Sequence, residues 1–148
     1  MTEKQSGRID SGSAAEFETA AAAEQLDEVQ AFVDRHLEAA GCPLKTQMQI
    51  DIVVEEVFIN IASYAYAPET GSAAVRVEML SEPRGVVITF ADSGRPYDPL
   101  AREDPDITLP AEERQIGGLG IFITKKTMDD AKYEYRGGQN ILTLTKYF

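Results

Sequence analysis

Between Glu24 and Ala40 the apolar residues fall at Leu26, Val29, Phe32, Val33 and Leu37, with acidic side chains on the opposite side. Spacings of three and four predict an amphipathic helix, and Gly41 and Pro43 end it. The next segment, from about Leu44 to Tyr66, is apolar on more than one face through Met48, Ile52, Val53, Val57, Phe58 and Ile61. A helix of that kind is expected to be largely buried, so a polar side chain inside it needs a reason to be there. Beyond Pro68 the period drops to two. Val75, Val77 and Met79 alternate with Arg76 and Glu78, and a Pro83-Arg84-Gly85 turn leads into the apolar run VVITFA. That pair predicts a β-hairpin.

Residues 92–117 carry Gly94, four prolines and many charges. The stretch is too long and too polar for a plain connector, and the part from Leu100 to Gly117 is expected to act as a lid over a ligand. A short helix is predicted from Gly118 to about Met128. AKYEYR and NILTLTKYF then flank Gly137-Gly138 as a second hairpin. Residues 1–15, rich in Ser, Gly, Ala and charge, read as a mobile tail, with a short strand around Phe17. The expectation is one domain over residues 16–148. Its class is α/β, an α+β two-layer sandwich, with a mostly antiparallel mixed sheet and helices on one face.

Charge narrows the functional classes. With 14 Lys and Arg against 25 Asp and Glu among 148 residues, the net charge is −11. That balance argues against a binder of nucleic-acid phosphates, which needs cations to displace counterions. No run approaches the roughly 18 apolar residues of a membrane span, and the N-terminus lacks the apolar core of a signal peptide. A single cysteine, Cys42 in the turn between Gly41 and Pro43, excludes an internal disulfide and fits the cytoplasm.

Three places hold candidate chemistry. Glu56 and Asn60 lie four apart in the second helix and so share a face, about 5–6 Å from each other. A carboxylate beside an amide oxygen suits Mg²⁺, or a base for a hydroxyl nucleophile; the two can also simply bond each other. Glu55 points about 100° away, toward solvent. The second place is Asp92-Ser93-Gly94-Arg95-Pro96-Tyr97-Asp98-Pro99, directly after an apolar strand. An acid at a strand end accepts a bond from an amine, and the following Gly94 lets backbone pass close to a flat ring; a plain tight turn uses the same residues. The third is Gly117-Gly118-Leu119-Gly120 at the start of a helix, where unpaired N–H groups and the positive dipole end suit a phosphate.

In order, the segments EEVFINIASYAY, FADSGRPYDPL and GGLGIFITKKTMDDAKYEYRGGQNILTLTKYF resemble the three boxes of the GHKL, or Bergerat-fold, ATPases. The likeness is to the small anti-sigma-factor serine kinases of the RsbW/SpoIIAB type and spans about residues 17–148. It implies that Asn60 holds Mg²⁺, that Glu56 is the catalytic base, and that Asp92 binds the adenine amine of ATP with Gly94 beside the ring. It also implies that Gly117, Gly118 and Gly120 touch the phosphates. The implied partners are a sigma factor and a STAS-type anti-anti-sigma protein, and the implied assembly is a homodimer. Where members often carry a histidine, this chain has Tyr64, and the threonine common near the last strand is replaced around Gln139-Asn140.

Other residues read more plainly. His36, the only histidine, has no second His or Cys to share a metal with and reads as helix surface, which also leaves no Ser/His/Asp triad to build. Lys125 and Lys126 favour a helix C-terminus; Tyr133, Tyr135 and Tyr147 read as packing on the sheet. Three functions stand: a serine/threonine-protein kinase that also captures a partner, an ATP-dependent anti-sigma-like binding module without kinase activity, and an ATPase fragment of a sensor kinase or topoisomerase. The fold consumes the chain, which disfavours the third. The carboxylate at position 56 favours the first, since binding alone needs no base.

Overall fold

The computed structural model of the chain describes residues 14–101 and 119–148. Five strands form one sheet: β1 (Ala14–Ala20), β2 (Ser72–Ser81), β3 (Arg84–Asp92), β4 (Asp130–Arg136) and β5 (Gln139–Tyr147). Their order across the sheet is β1-β2-β3-β5-β4, and every ladder is antiparallel, where the sequence had allowed a mixed sheet. Strand β1 begins inside the stretch expected to be tail: Ala14 is buried and pairs with Glu78. Both predicted hairpins form. Gly137 (φ 62°) and Gly138 (φ 80°) supply the two left-handed residues that a two-residue turn with the sheet's own twist requires.

One face of the sheet is apolar and covered. Val75, Val77, Ile88, Phe90, Leu142 and Leu144 point into a core shared with Val29, Val33, Leu37, Ile50 and Phe58 of the helices. The helices are α1 (Leu26–Ala39), α2 (Leu44–Asn60) and α3 (Leu119–Thr127). Each large apolar side chain fully removed from water here contributes about 1.5–3 kcal/mol. The alternate strand positions carry Arg76 and Glu78, whose side chains pair at 3.0 Å on the other face.

Helix α1 stops where the sequence says it should. The Cys42 N–H bonds to the Leu37 carbonyl (3.0 Å) and the Gly41 N–H to Glu38 (3.1 Å), with Gly41 at φ +77°, a Schellman ending. Arg84 adds a donor to the Ala40 carbonyl at 2.7 Å, tying the helix end to the β2–β3 turn. His36 is half-buried, its ring edge-on to Phe32, and burial holds its pKa below the ordinary value. Helix α2 departs from expectation twice. Leu44, Met48 and Ile52 form an exposed stripe rather than core (69%, 58% and 57% exposed), because the core side of the helix is already filled by Ile50, Val53, Val54 and Val57. And the helix does not run regularly to Tyr66. After Asn60 it widens into one π-helical turn over Ile61–Ala65.

Candidate active site

Helix α2 presents Glu56 and Asn60 on one side, as their spacing requires. The Asn60 Nδ2 donates to Glu56 Oε2 at 2.8 Å. With its nitrogen so engaged, Asn60 turns its amide oxygen to the remaining side, and that oxygen accepts no bond among the described residues. The first turn of α3 closes on this pair: a Cβ built on Gly120 would fall on the Glu56 carboxylate. The Gly120 carbonyl in turn accepts from the hydroxyl of buried Thr124 at 2.9 Å.

The π turn follows Asn60 directly, and its far end, nine residues and on the order of 13 Å beyond Glu56, meets the segment that leaves β3. The last carbonyls of a helix have no partner within it, and π turns concentrate at functional sites. Here Arg95 collects them. Its N–H donates to the Ala65 carbonyl (3.0 Å), and its guanidinium donates to Tyr64 (2.9 Å) and to Ala67. Gly94 is buried directly against the Ala65 carbonyl, where a Cβ would not fit. The side chain missing at Gly94 therefore makes room for the end of α2.

Asp92 ends β3 opposite Asn140 of β5 and is only 6% exposed. Its Oδ1 accepts from the Gly94 N–H (2.9 Å) and from Asn140 Nδ2 (3.0 Å). Both bonds fall on one oxygen, so Oδ2 remains an acceptor without a donor among the described residues. Asn140 also donates to the Arg95 carbonyl (2.9 Å), and its Oδ1 accepts from the Tyr97 N–H (3.0 Å) and the Tyr133 hydroxyl (2.5 Å). Burial pushes the Tyr133 phenol further above its ordinary pKa, and at neutral pH it is a donor with or without that shift.

Between these two groups lies a cavity of about 510 Å³. Phe90 and Leu142 of the sheet, Val57 and Ile61 of the helix, and Tyr97 and Ile121 line it with apolar surface, while Glu56, Asn60, Asp92 and Asn140 are among its polar groups. A flat, mostly apolar heterocycle with one amine fits the Asp92 end. A polyanion reaching the start of α3 fits the other. Among the described residues no three His, Cys, Asp or Glu side chains converge on a metal position. The Asn60 amide oxygen beside a carboxylate still fits Mg²⁺, which takes one or two protein oxygens and completes its shell with phosphates and water.

Of the residues singled out in the sequence, Glu56, Asn60 and Asp92 thus line one cavity, and Gly120 lies behind the Glu56 carboxylate. Gly117, Gly118 and nearly all of the expected lid lie outside the described residues. Three participants went unrecognised: Asn140, Arg95 and Tyr133, the last read as sheet packing. Asn140 had a signal. It occupies the inward position that Leu142 and Leu144 continue, and a polar residue in an apolar alternation calls for a partner.

A model of the histidine kinase-like ATPase domain matches residues 19–146. The serine/threonine-protein kinase BtrW of Bordetella bronchiseptica is 29% identical over 103 residues, covering 70% of this chain and 72% of its own. The serine-protein kinase RsbW of Listeria monocytogenes is 30% identical over 112 residues, covering 73% and 70%. Among solved structures, the RsbU and RsbW domains of a Mycobacterium tuberculosis protein align with a TM-score of 0.64 at 15% identity, over 90% of this chain and 32% of the larger one. The SiaB–SiaC complex of Pseudomonas aeruginosa gives 0.59 at 17% identity, over 95% and 91%. At those identities the two structures share the fold.

Proposed function

The chain belongs to the histidine kinase-like ATPase domain family, and from that premise we propose that it is an ATP-dependent serine/threonine-protein kinase of the RsbW type, acting as an anti-sigma factor that phosphorylates an anti-anti-sigma antagonist. The observation that carries this reading is the two-ended cavity: an acceptor for an amine at Asp92, and a carboxylate beside an amide at Glu56 and Asn60. Adenine enters against Phe90 and Leu142, and its amine donates to Asp92 Oδ2. The triphosphate runs along α2 toward the start of α3. Glu56 accepts the proton of a serine or threonine hydroxyl as its oxygen bonds to the γ-phosphorus, the bond to the β-phosphate oxygen breaks, and ADP leaves. Asn60 would hold Mg²⁺ through its amide oxygen. When bound, the ion neutralises phosphate charge in the transition state.

In the same reading the acceptor is a STAS-type protein, the captured partner is a sigma factor, the active form is a homodimer in the cytoplasm, and Gly117 and Gly118 touch the phosphates. A binding module without kinase activity would require none of the Glu56 geometry. The test is transfer of radiolabelled phosphate from ATP to STAS proteins encoded nearby. Glu56→Gln keeps the shape and the Asn60 contact but cannot take a proton; it is expected to lower transfer about 10²-fold or more while ATP affinity changes only a few-fold. Wild-type transfer by that variant would make the carboxylate structural.

A further inference from the structure

Gly120 stands two residues into a helix, where glycine is a poor choice on propensity. Its backbone does not call for it. Among the described residues the left-handed glycines are Gly41, Gly137 and Gly138; Gly120 has a conformation that any residue adopts. What glycine supplies at this position is space, and the neighbour occupying that space is the Glu56 carboxylate, whose carbon and both oxygens would overlap a Cβ. The carboxylate therefore lies directly on the backbone of α3.

We infer that Gly120 is a positioning residue for Glu56: α3 presents a side-chain-free surface that sets where the carboxylate rests and so aims it into the cavity. The inference rests on reading Glu56 as the base. Two further contacts make the placement determinate. Thr124, 1% exposed, is packed into the protein one turn after Gly120, and within the same helix its hydroxyl donates to the Gly120 carbonyl at 2.9 Å. On the other side, Asn60 Nδ2 holds Glu56 Oε2 at 2.8 Å. Between an anchored backbone and a fixed amide the carboxylate has one position. A methyl group at 120 displaces it, because the end of a flexible side chain yields before a hydrogen-bonded helix turn does. This role differs from contact with phosphate, since it acts through Glu56 and not on the nucleotide.

The experiment is a double-mutant cycle on the full chain, Gly120→Ala crossed with Glu56→Gln. It reads Mg·ATP turnover to inorganic phosphate with water as acceptor, ADP affinity by calorimetry, melting temperature, and the NMR signal of the Asn60 side-chain amide. Gly120→Ala is expected to lower turnover about tenfold or more with ADP affinity within about threefold, and to shift the Asn60 amide signal. Its melting temperature should be equal or higher, because alanine is the better helix former. On the Glu56→Gln background the same change should cost less than about twofold, since the group it misplaces no longer acts.

An equal loss in both backgrounds, or a loss of ADP affinity, would mean that residue 120 acts on the nucleotide, and the inference would fall. An Asn60 amide signal unmoved by Gly120→Ala overturns it even where turnover is too slow to measure. Glu56→Gln turning over at the wild-type rate would instead remove the base assignment, and the amide signal would still report whether position 120 places the carboxylate.

Discussion

The two ends of the cavity are built on different plans. At the Asp92 end, β3, β5 and the π turn are joined through Asn140 and Arg95, and the carbonyl and amide groups of Asn140 are fully engaged. At the Glu56 end, α2 and α3 meet through one side-chain pair resting on a bare backbone, and the neighbouring glycines of the box lie outside the described residues. The first end is arranged to hold an acceptor still before any ligand arrives, which suits recognition, because pre-organised groups lose little freedom on binding. The second turns the Asn60 amide oxygen and a carboxylate held at one oxygen toward a ligand that carries its own charge and metal. Selectivity for the base and chemistry at the phosphate are thereby assigned to separate elements, and substitutions should divide in the same way.

The largest separation is expected at Asp92. Asp92→Asn replaces the acceptor facing the cavity with an amide, and the loss of a charge-assisted bond in a buried site costs about 2–3 kcal/mol. Calorimetry should show ATP and ADP weakened by about 30- to 100-fold, and the wild type's preference for ATP over GTP, at least about tenfold, reduced or reversed. Equal wild-type affinity for the two nucleotides would break the comparison at its recognition end. A smaller effect is expected at Asn140. Asn140→Ala unties the loop but leaves Asp92 in place, so ATP affinity should fall about tenfold and the ATP preference should narrow. The rate of phosphate transfer at saturating ATP should change by less than about threefold, and a collapse of that rate would show that the two ends are not separable.

The smallest effect should appear at neither end. Asp51 of α2 faces Asp34 and Glu38 of α1; Asp34 and Asp51 each keep one carboxylate oxygen buried without a partner among the described residues. Burial, then the bond to and charge of Asp34, push the Asp51 carboxyl from 3.8 to about 7. A raised acid is most compatible with the fold when protonated, so this pair destabilises the protein progressively as pH rises from about 4 to 7. Asp51→Asn should raise stability by about 1 kcal/mol above pH 7, after allowing for solvent screening of a partly exposed pair, with the gain vanishing toward pH 4. Thermal melts across that range check it. Nucleotide affinity and transfer should not move.

Periodicity predicted the helices and both hairpins because their apolar faces are regular: Val29, Phe32, Val33 and Leu37 on one helix, Val75, Val77 and Met79 on a strand. It failed on Met48 and Ile52, since an apolar stripe on a helix looks the same in sequence whether it meets the core or solvent. The candidate site divided similarly. Glu56, Asn60 and Asp92 were legible as polar residues at the boundary of apolar segments, and the resemblance ordered them. Arg95 was not, because its partners are backbone carbonyls, which every sequence contains; only the π turn shows that they are available. The purpose of Gly94 and Gly120 was equally hidden. A glycine in a sequence reports that space is needed but not which neighbour fills it, and here the neighbours are Ala65 and Glu56.

The π turn also dictates where the chain tolerates a change in length. It holds one residue more per turn than an α-helix would, and the Arg95 bridge depends on where that extra residue sends the carbonyls of Tyr64, Ala65 and Ala67. Deleting one residue of Ile61–Ala65 would close the turn into a regular helix that leaves everything beyond facing nearly as before, whereas adding one residue, with no second π turn to absorb it, would rotate everything beyond by about 100°. Arg95 would then face the wrong side of the helix, and Gly94 would lose the carbonyl it packs against. The β4–β5 turn, whose glycines have open space around them, carries no such constraint. Insertions should therefore accumulate at that turn in related sequences, while the positions after Asn60 gain no residue even where their side chains change.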